Sequence, residues 1–185
     1  TDVISAQTEL AAEPADADEF MVSDGGVLKR IDYSLIKGGA NTPAFLARVS
    51  SDTSVDDNVV TKVEFDTEEF DTDSCFDNTT NYRFTVPAGG NGKYFFYSQI
   101  MCNGTGATEL SDAYCYYYKN GGTESQARWL ESTNRIYKTC LFHSLVLDLV
   151  ATDYVELYVN INSYSGTQHY DGYELRTYFG GYKLL

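Results

Sequence analysis

The residue types best suited to chemistry here are carboxylates. Residues 52–77 hold ten Asp and Glu against Lys62 alone, and Asp66, Glu68, Glu69, Asp71 and Asp73 crowd one short stretch of it. Hard oxygen ligands of this kind suit calcium, although the spacing is not that of an EF-hand loop. A solvated acidic surface would have the same composition. A glycosidase needs two carboxylates at a set separation across a cleft, which the adjacent Glu68 and Glu69 do not offer. Acid–base chemistry has two histidines to draw on, His143 and His169. His143 and Ser144 are neighbours on an expected strand, so they point to opposite faces and make no dyad. A core or interface role is the better reading of His143. Neither GxSxG nor HExxH occurs; both would have marked a hydrolase. The run Gly89–Lys93 is similar to a phosphate-binding loop, but Pro87 occupies the place of its first glycine and no helix follows. No catalytic residue is therefore assigned, and the chain reads as a non-enzyme.

A second segment suits recognition. Ser163–Tyr173 is expected as a polar, tyrosine-rich loop between the last two strands, with Tyr164, Gln168, His169, Tyr170 and Tyr173 as candidate ligand contacts. Tyr, Ser and Gly in loops favour adaptable binding, with ring faces available to sugars. The alternative is an ordinary loop of half-buried tyrosines.

The elements that must hold these residues are strands. Sixteen Tyr, ten Phe and 15 Gly in 185 residues favour strands and turns over helices. Phe20 to Tyr33 holds two apolar runs around Asp24-Gly25-Gly26, a hairpin signal. Residues 40–43 look like a hinge. Strands are expected over Ala44–Ser50, Val59–Asp66, Asn81–Val86, Lys93–Cys102, Ala113–Lys119, Thr139–Leu149, Tyr154–Ile161 and Glu174–Leu184. Eight short strands separated by turn residues imply a sandwich or jelly roll. Val155, Leu157 and Val159 alternate cleanly with Tyr154, Glu156 and Tyr158. Residues 94–97 and 114–118, however, put aromatics on both faces, which predicts that a second copy covers one of them.

Composition also excludes. A net charge of −14 opposes binding to nucleic-acid backbones and to anionic membrane surfaces. No apolar run reaches the length of a membrane helix, so no membrane insertion is expected. Thr1–Glu19 is polar and acidic, reads as a linker or marginal helix, and lacks the marks of a signal peptide. Cys75, Cys102, Cys115 and Cys140 are widely spaced, with no CxxC pair to hold zinc. Four unlinked thiols are expected; a single bridge, if formed, would be Cys102 to Cys115. Asn78 and Asn103 open glycosylation sequons that matter only in a eukaryotic secretory route.

Several stretches carry a resemblance: Ala44 to Val49, Thr61 to Thr72, Tyr82 to Gly90, Gly92 to Tyr97, Tyr117 to Gly121, Leu147 to Leu157 and Thr177 to Leu184. In this order they resemble the globular domain of complement C1q and the C1q/TNF superfamily, over essentially all of residues 44–185. The resemblance implies an all-β jelly-roll sandwich assembled as a homotrimeric knob. It places Phe65, Phe84, Tyr94, Phe96, Val155 and Phe179 in the core, and Tyr116 and Tyr118 belong with the same core or interface set. It has Gly180 where the last strand needs close approach. One departure is Thr152, which stands where the family usually has Gly before Asp153. Residues 1–39 are read as an N-terminal anchor containing the hairpin, and within them Glu13 to Tyr33 resembles segments of marine bacteriophage tail-fibre and virion proteins.

Together these resemblances imply a structural and adhesive virion protein, a fibre tip or decoration knob. Residues 1–39 would hold another virion protein, and the knob would bind a host surface glycan or protein. A secreted C1q-like binding module of cellular origin is the alternative, and a glycan-cleaving spike a weaker one. No cofactor is expected beyond the calcium that the acidic stretch could take.

Overall fold

The computed structural model describes residues 10–39, 41–104, 109–130, 136–164 and 166–184. Of the N-terminal stretch read as a linker or marginal helix, residues 1–9 lie outside the described residues. The chain divides into two compact units, Thr1–Ala40 and Asn41–Leu185.

The first unit is built on a hairpin. Strand β1 (Glu19–Asp24) pairs antiparallel with β2 (Val27–Asp32). Gly25 and Gly26 both have positive φ, 58° and 84°, as a two-residue turn between right-twisted strands requires. Most of the hairpin is exposed, with Met21 at 78% and Leu28 at 66%.

The second unit is a sandwich of two antiparallel sheets. Its strands are β3 (Ala44–Arg48), β4 (Thr53–Val55), β5 (Thr61–Lys62), β6 (Thr67–Asp71), β7 (Phe76–Asp77), β8 (Arg83–Thr85), β9 (Gly92–Gly104), β10 (Leu110–Lys119), β11 (Gly122–Leu130), β12 (Lys138–Leu149), β13 (Tyr154–Ser163), β14 (Gln168–Tyr170) and β15 (Tyr178–Lys183). One sheet of six runs β11-β10-β13-β8-β7, with β5 also on β13; the other, of seven, runs β4-β14-β9-β15-β3-β6, with β12 also on β9.

Alternation explains the core. In β9, Tyr94, Phe96, Ser98 and Ile100 face inward while Phe95, Tyr97 and Gln99 face out. In β13, Val155, Leu157, Val159 and Ile161 are fully buried. Phe45 sits at the centre, its ring 4.9 Å from those of Phe76 and Phe179 and 5.2 Å from Phe84. Each such buried side chain is worth about 1.5–3 kcal/mol in area removed from water. Gly180 is needed because a Cβ there would fall 2.5 Å from the Tyr97 ring.

Several boundaries differ from the sequence reading. The strand expected over Val59–Asp66 pairs only at Thr61–Lys62. Beyond it, Val63 and Phe65 plunge into the core and the chain crosses to the other sheet as β6. Strands β4, β6, β7, β11 and β14 are not among the strands expected; β6 lies in the acidic stretch and β14 in the segment read as a loop. The last strand begins at Tyr178, four residues beyond the Glu174 expected. All four cysteines are free, with Cys75, Cys102 and Cys115 buried.

Candidate functional site

The outward face of the seven-stranded sheet presents large apolar and aromatic side chains to water. Strand register builds it in rows. Phe142, Gln99, Tyr178 and Arg48 lie side by side across β12, β9, β15 and β3. The next row is Ser144, Tyr97, Gly180, Leu46 and Phe70, and the next Val146, Phe95, Tyr182 and Ala44. Phe142 is 66% exposed, Val146 52% and Phe70 46%. Charge is kept to the margins, where Arg48 pairs with Glu69, and Lys93 with Asp148.

Two shallow grooves cut this face. One of about 280 Å³ is lined by Phe95, Tyr97, Ser98, Phe142, His143, Ser144 and Tyr178. A second of about 230 Å³ is lined by Leu46, Tyr97, Leu175 and Tyr178. Tyr97 and Tyr178 pack edge to face at 6.2 Å and form the ridge between them. The His143 ring turns the other way, between the sheets, where it packs 4.9 Å from Tyr117 and its Nε2 lies 2.9 Å from Ser125 Oγ. Its Nδ1 is buried without a hydrogen-bond partner among the described residues. Burial lowers the His143 pKa below its ordinary value, keeping the ring neutral at pH 7.

The acidic candidates do not converge. Asp66 accepts from the Ser50 amide and hydroxyl, and Asp71 accepts from the amides of Asp73, Cys75 and Phe76. Glu69 pairs with Arg48, Asp73 accepts from Thr72 Oγ1, and Glu68 is exposed. Among the described residues, the group that brings three metal-binding side chains together is Asp52, His169 and Asp171. There the buried Asp171 already receives Lys138 at 2.7 Å, Arg176 at 3.5 Å and Asn103 at 3.2 Å. Burial pushes its carboxyl pKa up, but Lys138 and Asn103 bring it below the ordinary value. The cluster is thus balanced in charge, and it ties the segment after β14 to the end of β9.

The tyrosine-rich segment is not one open loop. Residues 168–170 form β14, wedged between β4 and β9. Gln168 is 1% and Tyr170 0% exposed, because sheet pairing turns them inward, so neither is presented to a ligand. His169 points out of the strand toward Asp52 and Asp171. Tyr164 and Tyr173 are exposed, at 58% and 60%; Ser165 between the strands lies outside the described residues.

Phe65, Phe84, Tyr94, Phe96, Val155 and Phe179 are buried in the core. Tyr116 and Tyr118 instead lie half-buried on the outward face of the six-stranded sheet, since Cys115 and Tyr117 take the inward positions of β10. Of the outward aromatics, Phe95 and Tyr97 lie in the stretch read as aromatic on both faces, whereas Phe142 and Tyr178 went unassigned in sequence. The alternation of β9 carried the signal for the first two.

No protein-family model matches the chain, and no curated protein sequence does. Solved structures do. The Eiger TNF structure from S. frugiperda superposes with a TM-score of 0.57 at 16% identity, covering 77% of this chain and 92% of that one. The globular domain of zebrafish complement 1qA superposes at 0.51 and 15%, covering 78% of this chain and 98% of that one. The fold is the C1q/TNF-like jelly roll. At these identities the likeness establishes architecture, and it makes the outward face of the seven-stranded sheet the feature of this chain that calls for a physical explanation.

Proposed function

We propose that this protein is a non-enzymatic, homotrimeric binding knob, self-associating through the outward face of its seven-stranded sheet. The observation that carries the reading is the uncharged, aromatic band across that face, which runs from Phe95, Tyr97 and Tyr178 to Phe142 and Val146 on the edge strand β12, both more than half exposed. Contiguous apolar surface of this kind marks an interaction site in a water-soluble domain. A second copy is the natural occupant, because cyclic association hides the same face on every protomer. The trimer is what the C1q/TNF-like resemblance implies.

The hairpin of residues 19–32 serves as the anchor in this reading. A two-stranded sheet is marginal alone in water, and its exposed Met21, Val27 and Leu28 favour burial against another protein. With the resemblance of Glu13 to Tyr33 to bacteriophage tail-fibre segments, this supports a virion protein whose knob binds a host surface ligand. Three linked knobs would let each contact stay weak. Secretion from a cell is the second reading, favoured by the likeness to complement and TNF domains. Calcium at the acidic stretch is retained as a proposal that chelation during the same measurements tests.

The test is Val146→Asp, which places a charge on the exposed apolar edge of the face, on β12. Self-association should be lost while circular dichroism and thermal unfolding still report a folded sandwich. A variant that assembles like the wild type overturns the interface assignment.

A further inference from the structure

The first unit is folded without a core. Its backbone is well tied: pairing continues past the hairpin through the amides of Tyr33 and Ser34, which donate to the carbonyls of Asp18 and Asp16. Yet none of its described residues is buried. Domains below about 40 residues usually need disulfides, a metal or oligomerisation to hold them. Residues 1–40 contain no cysteine and no histidine, which rules out a disulfide and a zinc site of the usual ligands. The carboxylates of Asp16, Glu19 and Asp24 are each paired with a cation, Lys37, Arg30 and Lys29. Oligomerisation is what remains.

Register gives the hairpin one apolar face. Phe20 is opposite Ile31, Val22 opposite Lys29 and Asp24 opposite Val27, and side chains at alternate positions of a strand point the same way. Phe20, Val22, Val27 and Ile31 therefore lie together, and Tyr33 extends them with its ring 6.0 Å from that of Phe20. The charges on this face, Lys29 and Asp24, pair with one another, so the face carries no net charge. The reverse face is mixed, with Glu19, Arg30 and Asp32 around Met21 and Leu28.

We propose that the apolar face of the hairpin is buried against the same face of the other two copies, so that three hairpins build the core that one lacks. Two observations select this occupant. A face without net charge meets its own copy without repulsion, although the chain as a whole stands at −14. The tether is also short. Residues 38–43 span at most about 20 Å before Ala44, which lies in the row of Tyr182, Phe95 and Val146 on the self-association face. Assembly through that face gathers the three tethers and holds the hairpins at an effective concentration on the order of millimolar, which no free partner matches. Met21 and Leu28 stay outside this contact, available to the larger assembly that residues 1–39 would hold. The inference rests on the proposed assembly of the knob and names a second contact that this assembly brings together.

The test uses the whole chain with Ser23→Cys, on the reverse face, as the site of a spin label. Cys75, Cys102 and Cys115 are buried, and Cys140→Ser removes the remaining accessible thiol. Pulsed electron paramagnetic resonance should give one narrow distance between labels on different copies. Val22→Asp, in the middle of the apolar face, should broaden that distance and raise the concentration at which the trimer dissociates by about tenfold or more. Met21→Asp, the same change one residue away on the reverse face, should alter neither. A broad distribution in the parent chain, or equal effects of the two substitutions, overturns the inference. So does a distance that Val22→Asp changes without shifting dissociation, which would mean a hairpin docked on its own knob. Light scattering on the same samples separates the two readings. Trimers with hairpins apart refute this inference alone, whereas a monomeric chain refutes the assembly and this inference with it.

Discussion

Thr152 is where a single side chain carries visible strain. Its φ is 77°, in the left-handed region that a β-branched residue rarely enters. The turn holds because its neighbours pin it. Asp153 accepts from the Val150 amide at 3.0 Å and the Asn120 side chain at 2.8 Å, and Asn120 in turn receives the Tyr154 amide. These bonds hold the Asp153 carboxyl below its ordinary pKa. Thr152→Gly relieves the strain and should raise stability by about 1 kcal/mol, read as a higher urea midpoint. A lower midpoint would mean that the threonine is stabilising in a way its backbone does not reveal. The departure from the family pattern was legible in sequence, but its positive φ was not. His143 makes the second prediction at this scale. Burial lowers its pKa in the folded state, so the neutral ring is the one the fold prefers. Its contribution is complete above the unfolded value, about 6.5, and is lost as pH falls through the depressed folded value. The urea midpoint should therefore drop below pH 6.5, and His143→Gln should flatten that part of the profile. An identical slope in the variant would assign the dependence elsewhere.

At the scale of elements, the long strands were legible because one face of each is buried and their residues alternate. Val155, Leu157 and Val159 mark β13 this way, and Tyr94 and Phe96 mark β9. The missed strands are short, or polar on their outward side. Strand β11 sits at the edge of its sheet, and its outward residues Glu124, Gln126 and Arg128 are exposed, so its sequence reads as surface. Strand β14 is three residues long and is created by its neighbours β4 and β9 rather than by its own pattern. Tertiary pairing decides such segments, and local sequence does not. A close approach beside it can be tested. Gly172 donates its amide to Asp52 Oδ1 at 2.9 Å, and a Cβ on it would fall 2.2–2.3 Å from the backbone of Ser51. Backbone cannot rotate away as a side chain can. Gly172→Ala should cost about 2 kcal/mol by forcing the β4 segment outward, measured by equilibrium unfolding. An unchanged stability would show that this end of the sheet is loosely held.

At the scale of the molecule, the second unit is a sandwich with three layers of chemistry: an aromatic core between two outward faces of opposite character. The sequence reading placed aromatics on both sides of residues 94–97 and 114–118 and inferred a second copy over them. The structure separates the two cases. Phe95 and Tyr97 belong to the apolar face suited to self-association, while Tyr114, Tyr116 and Tyr118 belong to a polar platform on the other sheet. Only the pairing partners reveal this, since Val146 and Tyr182 flank Phe95 whereas Asn160 and Arg128 flank Tyr114. The carboxylates proposed as calcium ligands were similarly illegible until Asp66, Glu69, Asp71 and Asp73 were seen with their separate partners. What decides most about the molecule is the mass of the intact chain in solution, measured by light scattering after size-exclusion chromatography. The account predicts three times 20.6 kDa. A monomer at 20.6 kDa would leave Phe142 and Val146 exposed without reason and would contradict the knob assembly.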